Sequence, residues 1–499
     1  MNESPSPSID VSGVHRSMAA GMAWMSLLRI GIKLLGLIST VVLARLLTPA
    51  DFGLVAMATS VIAGLELFRA FNFDVPLIQM KNPGRSAYDT AWTLDILLGF
   101  VLGLALLLIA FPAARFYGEP RLTHVMQALA LGTLISGFEN IGVVAFRKEL
   151  TFRREFSLRI AQKVCSLMIT LPLAFALRSY WALVIGMVGG NLLGVAVSYA
   201  VHEYRPRFSL AAMHDLLSFS KWLLLNNVLW FLRDRLPDYV LGRLAGAGAL
   251  GLFSISYEIS NLPTTDLIAP INRAVFPGYA KLAHDLDKLR EGFLNVIALV
   301  ATLALPAGLG IAATSKLIVN VALGAKWAAA APAISILAIH GAISALQTNC
   351  GAVHYSMGRP RMMTFIGVCQ VLVLAPAVIW SAHVAGAMGV AWSYLITTCF
   401  IVPLNYMLVI GRIRLRVASL LGSLWRPAVA STLMYWLTRG WVAGAPADSI
   451  RSLGGAVVIG CGSYSLILMG LWLLAGQPPG PERSVRDKFL LPMWQRVVR

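Results

Sequence analysis

The chain places two cations where an apolar stretch leaves few reasons for them. Arg29 and Lys33 stand four residues apart in the hydrophobic run that starts at Met22, about 40° apart around a helix axis, and so project from one face. No acid in that run neutralises them, which makes the pair a candidate anion site. Lys33 lies near mid-run, whereas Arg29 is closer to one end and within snorkelling reach of it. The second run holds Glu66 and Arg69 in "GLELFRAFNFD", three apart and able to pair, with Asp74 just before Pro76. Asp95 and Glu139 are single acids in the third and fourth runs, open to hydrogen bonding, to pairing with Arg29 or Lys33, or to taking up a coupling proton. The seventh run, "NNVLWFLRDRLPDYVLGR", is the most polar: it carries Arg233, Asp234, Arg235 and Asp238 around Pro237, as a kinked helix lining water would. In the eighth, Glu258 precedes "NLPTTDLIAP", where Pro263 and Pro270 bracket Asp266 and predict an interrupted helix. Arg29, Lys33, Arg69, Arg233 and Arg235 are thus the candidate ligands for an anion, and Glu66, Asp74, Asp95 and Asp238 the candidate acids for ion coupling.

Hydrolytic or metal chemistry finds no such support. The eight His are scattered, mostly at the ends of apolar runs, without an HExxH, a nucleophile-base grouping or a glycine-rich loop ahead of a Lys. The five Cys (Cys165, Cys350, Cys369, Cys399 and Cys461) sit singly in apolar surroundings and read as packing residues. The chain is therefore read as no enzyme, with no cofactor.

The elements that must position these charges are membrane spans. Of 499 residues 58% are hydrophobic and 13% charged, and the mean hydropathy is +0.73. Soluble domains do not have such a composition. Runs of about 20 residues recur from Met22 almost to the end, each long enough at about 1.5 Å per residue to cross about 30 Å of hydrocarbon, and helices are the default there because lipid offers the backbone no partner. The expectation is an all-α polytopic membrane protein of about 14 spans. Residues 1–20 are polar and lack the features of a cleaved signal, so the first span stays. The net charge of +18 is dispersed over short loops, which speaks against nucleic acid. With the N-terminus inside, roughly 26 Lys and Arg fall on the inner face and roughly 8 on the outer, which predicts both termini inside. The longest inner connections are expected at "FRKELTFRREFSLR" (Phe146 to Arg159), suited either to lie on an anionic leaflet or to anchor by charge alone, and at "PGYAKLAHDLDKLREG" (Pro277 to Gly292).

An internal repeat organises the spans. "VLARLLTPADFGL" (Val42 to Leu54) returns as "VLGRLAGAGALGL" (Val240 to Leu252), in a register that also sets Trp24 on Trp222 and so aligns span 1 with span 7. Six spans then six more, in one orientation, predict two parallel lobes about a central cavity. The expected organisation is a tail (1–20), an N-lobe (21–203), a C-lobe (204–411), two extra spans (412–475) of which the thirteenth, Leu424 to Gly440, is short, and a C-terminal tail (476–499). In the first copy Thr48 is placed as an N-cap, Pro49 at the first helical position, and Asp51 to accept from backbone N–H groups or pair with Arg45. The repeat reads as a structural corner that joins spans 1 to 2 and 7 to 8.

With "LISTVVLARLLTPADFGLVAMA" (Leu37 to Ala58), "FRKELTFRREF" (Phe146 to Phe156), "DYVLGRLAGAGALGLFSISYEISNLP" (Asp238 to Pro263) and "INRAVFPGYAKL" (Ile271 to Leu282), residues 15 to 420 resemble the oligosaccharide flippase (Wzx-like polysaccharide transporter) family of the multidrug/oligosaccharidyl-lipid/polysaccharide exporter superfamily. The resemblance implies two six-helix lobes around a V-shaped cavity, alternating access, and an undecaprenyl-linked oligosaccharide carried across the bacterial inner membrane for O-antigen or exopolysaccharide synthesis, with polysaccharide polymerase and export proteins as further partners. It also implies cationic cavity residues for the lipid's (pyro)phosphate, matched here by helix to Arg29 and Lys33 and to Arg233 or Arg235. Trp24, Trp230, Tyr239 and Tyr257 are candidate rings for sugars. A cation-coupled drug or metabolite exporter of the same superfamily would favour an acid-only first lobe; a membrane-embedded glycosyltransferase, polymerase or ligase would be expected to carry a large outer loop.

Overall fold

The computed structural model describes residues 11–67, 77–78, 80, 83–149, 151–213, 223–446, 449–478 and 480. They form the helices α1 (Val11–Leu46), α2 (Pro49–Glu66), α3 (Arg85–Tyr117), α4 (Arg121–Ser136), α5 (Val144–Lys148), α6 (Phe152–Leu177), α7 (Trp181–Val201), α8 (Leu223–Leu244), α9 (Gly246–Leu282), α10 (Leu286–Ile318), α11 (Ala330–Leu346), α12 (Thr348–Ser356), α13 (Pro360–Ile413), α14 (Val417–Gly444) and α15 (Ile450–Leu474). No strand occurs among the described residues. Among the described residues eight helices are long and apolar enough to cross a membrane, or nine when the bent pair Arg121–Ser136 and Ile141–Lys148 counts as one span. The protein is an all-α, multi-pass membrane protein. Two compact units divide the chain: Met1–Leu47 with Ala58–Val228, and Thr48–Met57 with Leu229–Arg499.

In the first unit, α6 and α7 pack antiparallel along a seam of small residues. Gly186, Gly190 and Gly194, each one turn apart, face Thr170, Ser166 and Gln162; a Cβ on Gly186 would stand 2.0 Å from Thr170 Oγ1, and one on Gly190 2.6 Å from Ser166 Oγ. In lipid, where apolar burial gives little drive, such close backbone approach is what holds helices together. The segment 202–213 has no regular structure over most of its length and lies along the start of α3, held by side chains that grip its backbone. Asp89 accepts from Tyr204 Oη and from the Arg207 amide, both at 2.8 Å, Thr93 Oγ1 from Ser209 N at 3.0 Å, and Thr90 Oγ1 from Ala212 N at 3.2 Å. Asn140 Nδ2 donates to the carbonyls of His202 and Tyr204. Burial, and then the bond to Asp89, raise the Tyr204 hydroxyl above its usual range.

In the second unit the repeated corner meets its own copy. Thr48 N and Oγ1 donate to Asp51 Oδ2 at 2.9 and 2.6 Å, the capping arrangement expected there, in which Asp51 accepts from the backbone. Gly53 and Gly251, equivalent positions in the two copies, lie at one crossing of α2 and α9: a Cβ on Gly53 would fall 1.7 Å from the Ala247 carbonyl oxygen, and one on Gly251 1.8 Å from that of Pro49. Trp327, fully buried, meets Phe52 edge-on at 5.4 Å beside them. Ser256 and Ser260 of α9 donate to the carbonyls of Ala330 and Ile334 at 3.5 and 3.0 Å.

α13 is two helices folded back on each other. Gly386 (φ 55°, ψ −136°) breaks it, and Ser393 Oγ then reaches Ser381 Oγ at 2.8 Å and the Ala377 carbonyl at 3.0 Å. In a straight helix Ala377 and Ser393 would be about 24 Å apart. α14, which contains the expected thirteenth span, is about 42 Å long at 28 residues but is not among the helices both long and apolar enough to cross a membrane.

Several expectations are corrected. The fourth span, Leu122 to Val144, is not one straight helix: it breaks after Ser136 and bends by 64°. Asn140 Oδ1 accepts from Gly142 N and so restarts the chain as a short 3-10 turn, and Gly137 lets it pass close to α3. Pro277 to Gly292 is no long loop, since α9 runs to Leu282 and α10 starts at Leu286 with Asp285 capping Lys288 N. The backbone of α9 is helical through Pro263 and Pro270, so that helix is not interrupted. "FRKELTFRREFSLR" does not lie flat on a leaflet by its aromatic residues. Phe146 is buried, Arg147 pairs with Glu155 at 2.6 Å, Lys148 Nζ donates to the Met80 carbonyl at 2.7 Å, and α6 starts at Phe152.

Candidate functional site

α1 presents three faces. At about 100° per residue, Trp24, Leu28, Gly31 and Ser39 share one flank, along which Trp24 meets Phe156 at 5.2 Å and Gly31 lies against Ile160. Leu27, Ile30, Leu34 and Ile38 form a second face, apolar and exposed. Arg29 and Lys33, both exposed, occupy a third face with Gly36 and Thr40. The structure thus sets the two cations together, apart from the apolar stripe suited to lipid, as a charge that must stay hydrated requires.

The remaining candidates of the first unit are distributed. Glu66 is exposed at the end of α2. Arg69 and Asp74 lie outside the described residues. Asp95 is half-buried where α3 passes the break in the fourth span, its backbone oxygen 2.9 Å from where a Cβ of Gly137 would be. Glu139 stands in the break itself and pairs with neither Arg29 nor Lys33 in any bond described; its partner is Arg159, whose Nη1 donates to Glu139 Oε1 at 3.0 Å. Gln162 completes the cluster: its Nε2 donates to the same oxygen at 3.1 Å and to the Gly194 carbonyl at 3.2 Å, while its Oε1 accepts from Arg159 at 3.0 Å.

Arg159 and Gln162 do not stand out in the sequence, because Arg159 closes a basic stretch that reads as a loop; α6 begins seven residues earlier, so Arg159 sits about 10 Å along a helix. The spacing of Arg159 and Gln162, three apart and so on one helix face, is the signal that finds them.

In the second unit, Arg235 and Asp238 form an ion pair at 3.1 Å across one turn of α8, flanking Pro237, with Asp238 almost fully buried and Asp234 exposed. The side chain of Arg233 and those of Trp230 and Asp266 lie outside the described residues. Of the candidate rings, Tyr239 meets Phe231 edge-on at 6.1 Å, and Tyr257 stacks on Phe253 at 5.9 Å and meets Tyr394 at 5.7 Å. These rings pack on other rings. Among the described residues no group of His, Cys, Asp and Glu is arranged to hold a metal ion.

The chain is 26% identical over 399 residues to the lipopolysaccharide biosynthesis protein WzxC of Escherichia coli (strain K12), which spans 78% of this chain and 80% of that protein. It is 25% identical over 425 residues to the teichuronic acid biosynthesis protein TuaB of Bacillus subtilis (strain 168), covering 84% and 88%. The fold is similar to that of the lipid II flippase MurJ in its inward closed conformation, with a TM-score of 0.72 at 12% identity over 89% of this chain and 98% of the other. Residues 42–332, more than half of the sequence, match the family described as polysaccharide biosynthesis protein, and the chain belongs to that family.

Proposed function

We propose that the protein is a lipid-linked oligosaccharide flippase, which moves an undecaprenyl-(pyro)phosphate repeat unit from the inner to the outer leaflet of the bacterial inner membrane by alternating access, for O-antigen or exopolysaccharide synthesis. The observation that carries this reading is the cationic face of α1, where Arg29 and Lys33 are exposed together and away from the apolar stripe. A phosphate headgroup is the part of such a cargo that hydrocarbon resists most, and two neighbouring cations in hydrated surroundings offset the loss of its water. The fold likeness to a lipid II flippase and the relatives' roles in lipopolysaccharide and teichuronic acid biosynthesis support the cargo class. The Arg235 and Asp238 pair is the corresponding candidate in the second unit, and the charge distribution over the loops supports both termini facing the cytoplasm. The α1 cations favour this reading over a drug exporter, because two positive charges on one helix face disfavour a cationic drug.

The test is transport of a defined undecaprenyl-pyrophosphate oligosaccharide in proteoliposomes, with and without ion gradients. Wild-type protein is expected to transport it, and the Arg29→Ala/Lys33→Ala double variant, inserted to the same level, to lose transport. Full activity in the double variant refutes the phosphate site, and no transport by wild type under any gradient refutes the function.

A further inference from the structure

The first unit holds a second polar feature, of a different character from the α1 cations. Glu139 stands in the four-residue gap 137–140 where the fourth span breaks and bends by 64°. Irregular backbone in a span is tolerated where it is covered by protein or faces water, and in transporters such breaks commonly form the binding site. Glu139 and Arg159 are not sealed in: their side chains are 35% and 31% exposed. An ion pair within membrane-spanning elements that keeps a third of its surface open faces a wet space rather than lipid.

The bonds inside the cluster use only part of its capacity. Glu139 Oε1 accepts from both Arg159 Nη1 and Gln162 Nε2, and Gln162 is fixed in turn by the Gly194 carbonyl. Among the described residues Glu139 Oε2 accepts no hydrogen bond, and Arg159 Nε and Nη2 donate none. An acceptor and a fork of donors are thus left side by side on a pre-oriented pair.

The charge balance selects the ligand. A phosphate would meet the negative charge of Glu139, and an organic cation would meet Arg159, but a neutral polyol can donate one hydroxyl to the carboxylate and accept with its neighbour from the guanidinium. We propose that Glu139, Arg159 and Gln162 bind the sugar hydroxyls of the cargo, while the acid-free face of α1 takes its phosphate. This assignment rests on the flippase reading and adds a sugar-recognition site to it.

The experiment is binding to full-length protein in nanodiscs of two probes that differ only in the sugar: undecaprenyl pyrophosphate, and the same lipid carrying its oligosaccharide. Glu139→Gln and Arg159→Lys are the variants; the second keeps the ion pair and removes the planar donor fork. Each is expected to bind the glycosylated probe about tenfold to a hundredfold more weakly, as loss of a hydrogen bond to a charged group implies, and the sugar-free probe as wild type does. Retained affinity of both variants for the glycosylated probe overturns the proposal, as does equal loss of both probes, which marks a structural or phosphate-binding role. Should Glu139→Gln fail to insert, Arg159→Lys alone decides. Wild-type protein that binds neither probe overturns the flippase reading itself, a result distinct from either of these.

Discussion

Replacing Gly53 by Ala adds one methyl group at the tightest point of the second unit. Its carbon would lie 1.7 Å from the Ala247 carbonyl oxygen, against the 3.0 Å that Cβ contacts keep, so α2 and α9 must part by roughly 1.3 Å at that crossing. The atom in the way is backbone, which no rotamer change can remove, and overpacking of this kind costs about 1–3 kcal/mol. Gly251→Ala meets the Pro49 oxygen at 1.8 Å from the other side and should cost a similar amount. Both substitutions open the same crossing, so the double variant should lose less than the sum of the two. Thermal unfolding of the purified protein in detergent is the assay, with each kcal/mol worth about 2 °C in a unit of this size; the expected fall is about 2–6 °C for either single variant. Gly248→Ala is the control, because a Cβ there meets nothing within 4 Å, and its melting temperature should hold or rise slightly. A Gly53→Ala protein that melts with wild type, or a Gly248→Ala protein that falls as far, refutes the close crossing of the two repeat copies.

Three further outcomes are expected. His202 accepts from Tyr204 N through Nδ1 at 3.0 Å, and burial lowers its pKa below the usual value, with Glu149 and Glu203 acting against that shift and Arg154 and Arg205 with it. The folded state therefore binds fewer protons than the unfolded one in the window just below the ordinary His value of about 6.5, and stability falls as pH drops through that window. Amide protection factors over 202–213, corrected for the intrinsic pH dependence of exchange, should fall at acid pH, and a His202→Gln protein should lose this dependence; an unchanged pH response in that variant counts against it. Ser381→Cys/Ser393→Cys should form a disulfide on mild oxidation, since their hydroxyls are 2.8 Å apart across the Gly386 fold, and two persistent free thiols would contradict a folded-back α13. Asp89→Ala removes the acceptor for both Tyr204 Oη and Arg207 N and should destabilise the first unit by about 1.5–3 kcal/mol, measured as a lower unfolding midpoint; no change would mean that water replaces the carboxylate.

Hydropathy and the repeat made the span order and the corner at Thr48 legible, because lipid forces each crossing to declare itself as a long apolar run and a capping box has a local signature. Where the chain breaks or continues a helix was less legible. Pro263 and Pro270 suggest interruption, yet α9 runs through both as one helix, and the break in the fourth span carries no proline at all. Gly137 and Asn140 make it, through a close pass to α3 and a side-chain bond to Gly142 N, neither of which follows from periodicity. The candidate site divides in the same way. The common face of Arg29 and Lys33 follows from spacing alone, whereas the partner of Glu139 is on another helix, 20 residues further on, and only the three-dimensional arrangement selects Arg159 over Arg29 or Lys33.

The grip on 202–213 has a consequence for how this connection can vary. Three of its contacts, at Arg207, Ser209 and Ala212, are made through main-chain amides, which every residue except proline supplies. These three contacts do not depend on side-chain identity, but their spacing is fixed by Asp89, Thr90 and Thr93, which stand on one helix. Inserting or deleting a single residue between Tyr204 and Ala212 would put every later amide out of step with its acceptor. Beyond Tyr204, whose hydroxyl donates to Asp89, and Phe208, whose ring meets Trp92 at 5.0 Å, the connection is specified more by its length than by its spelling.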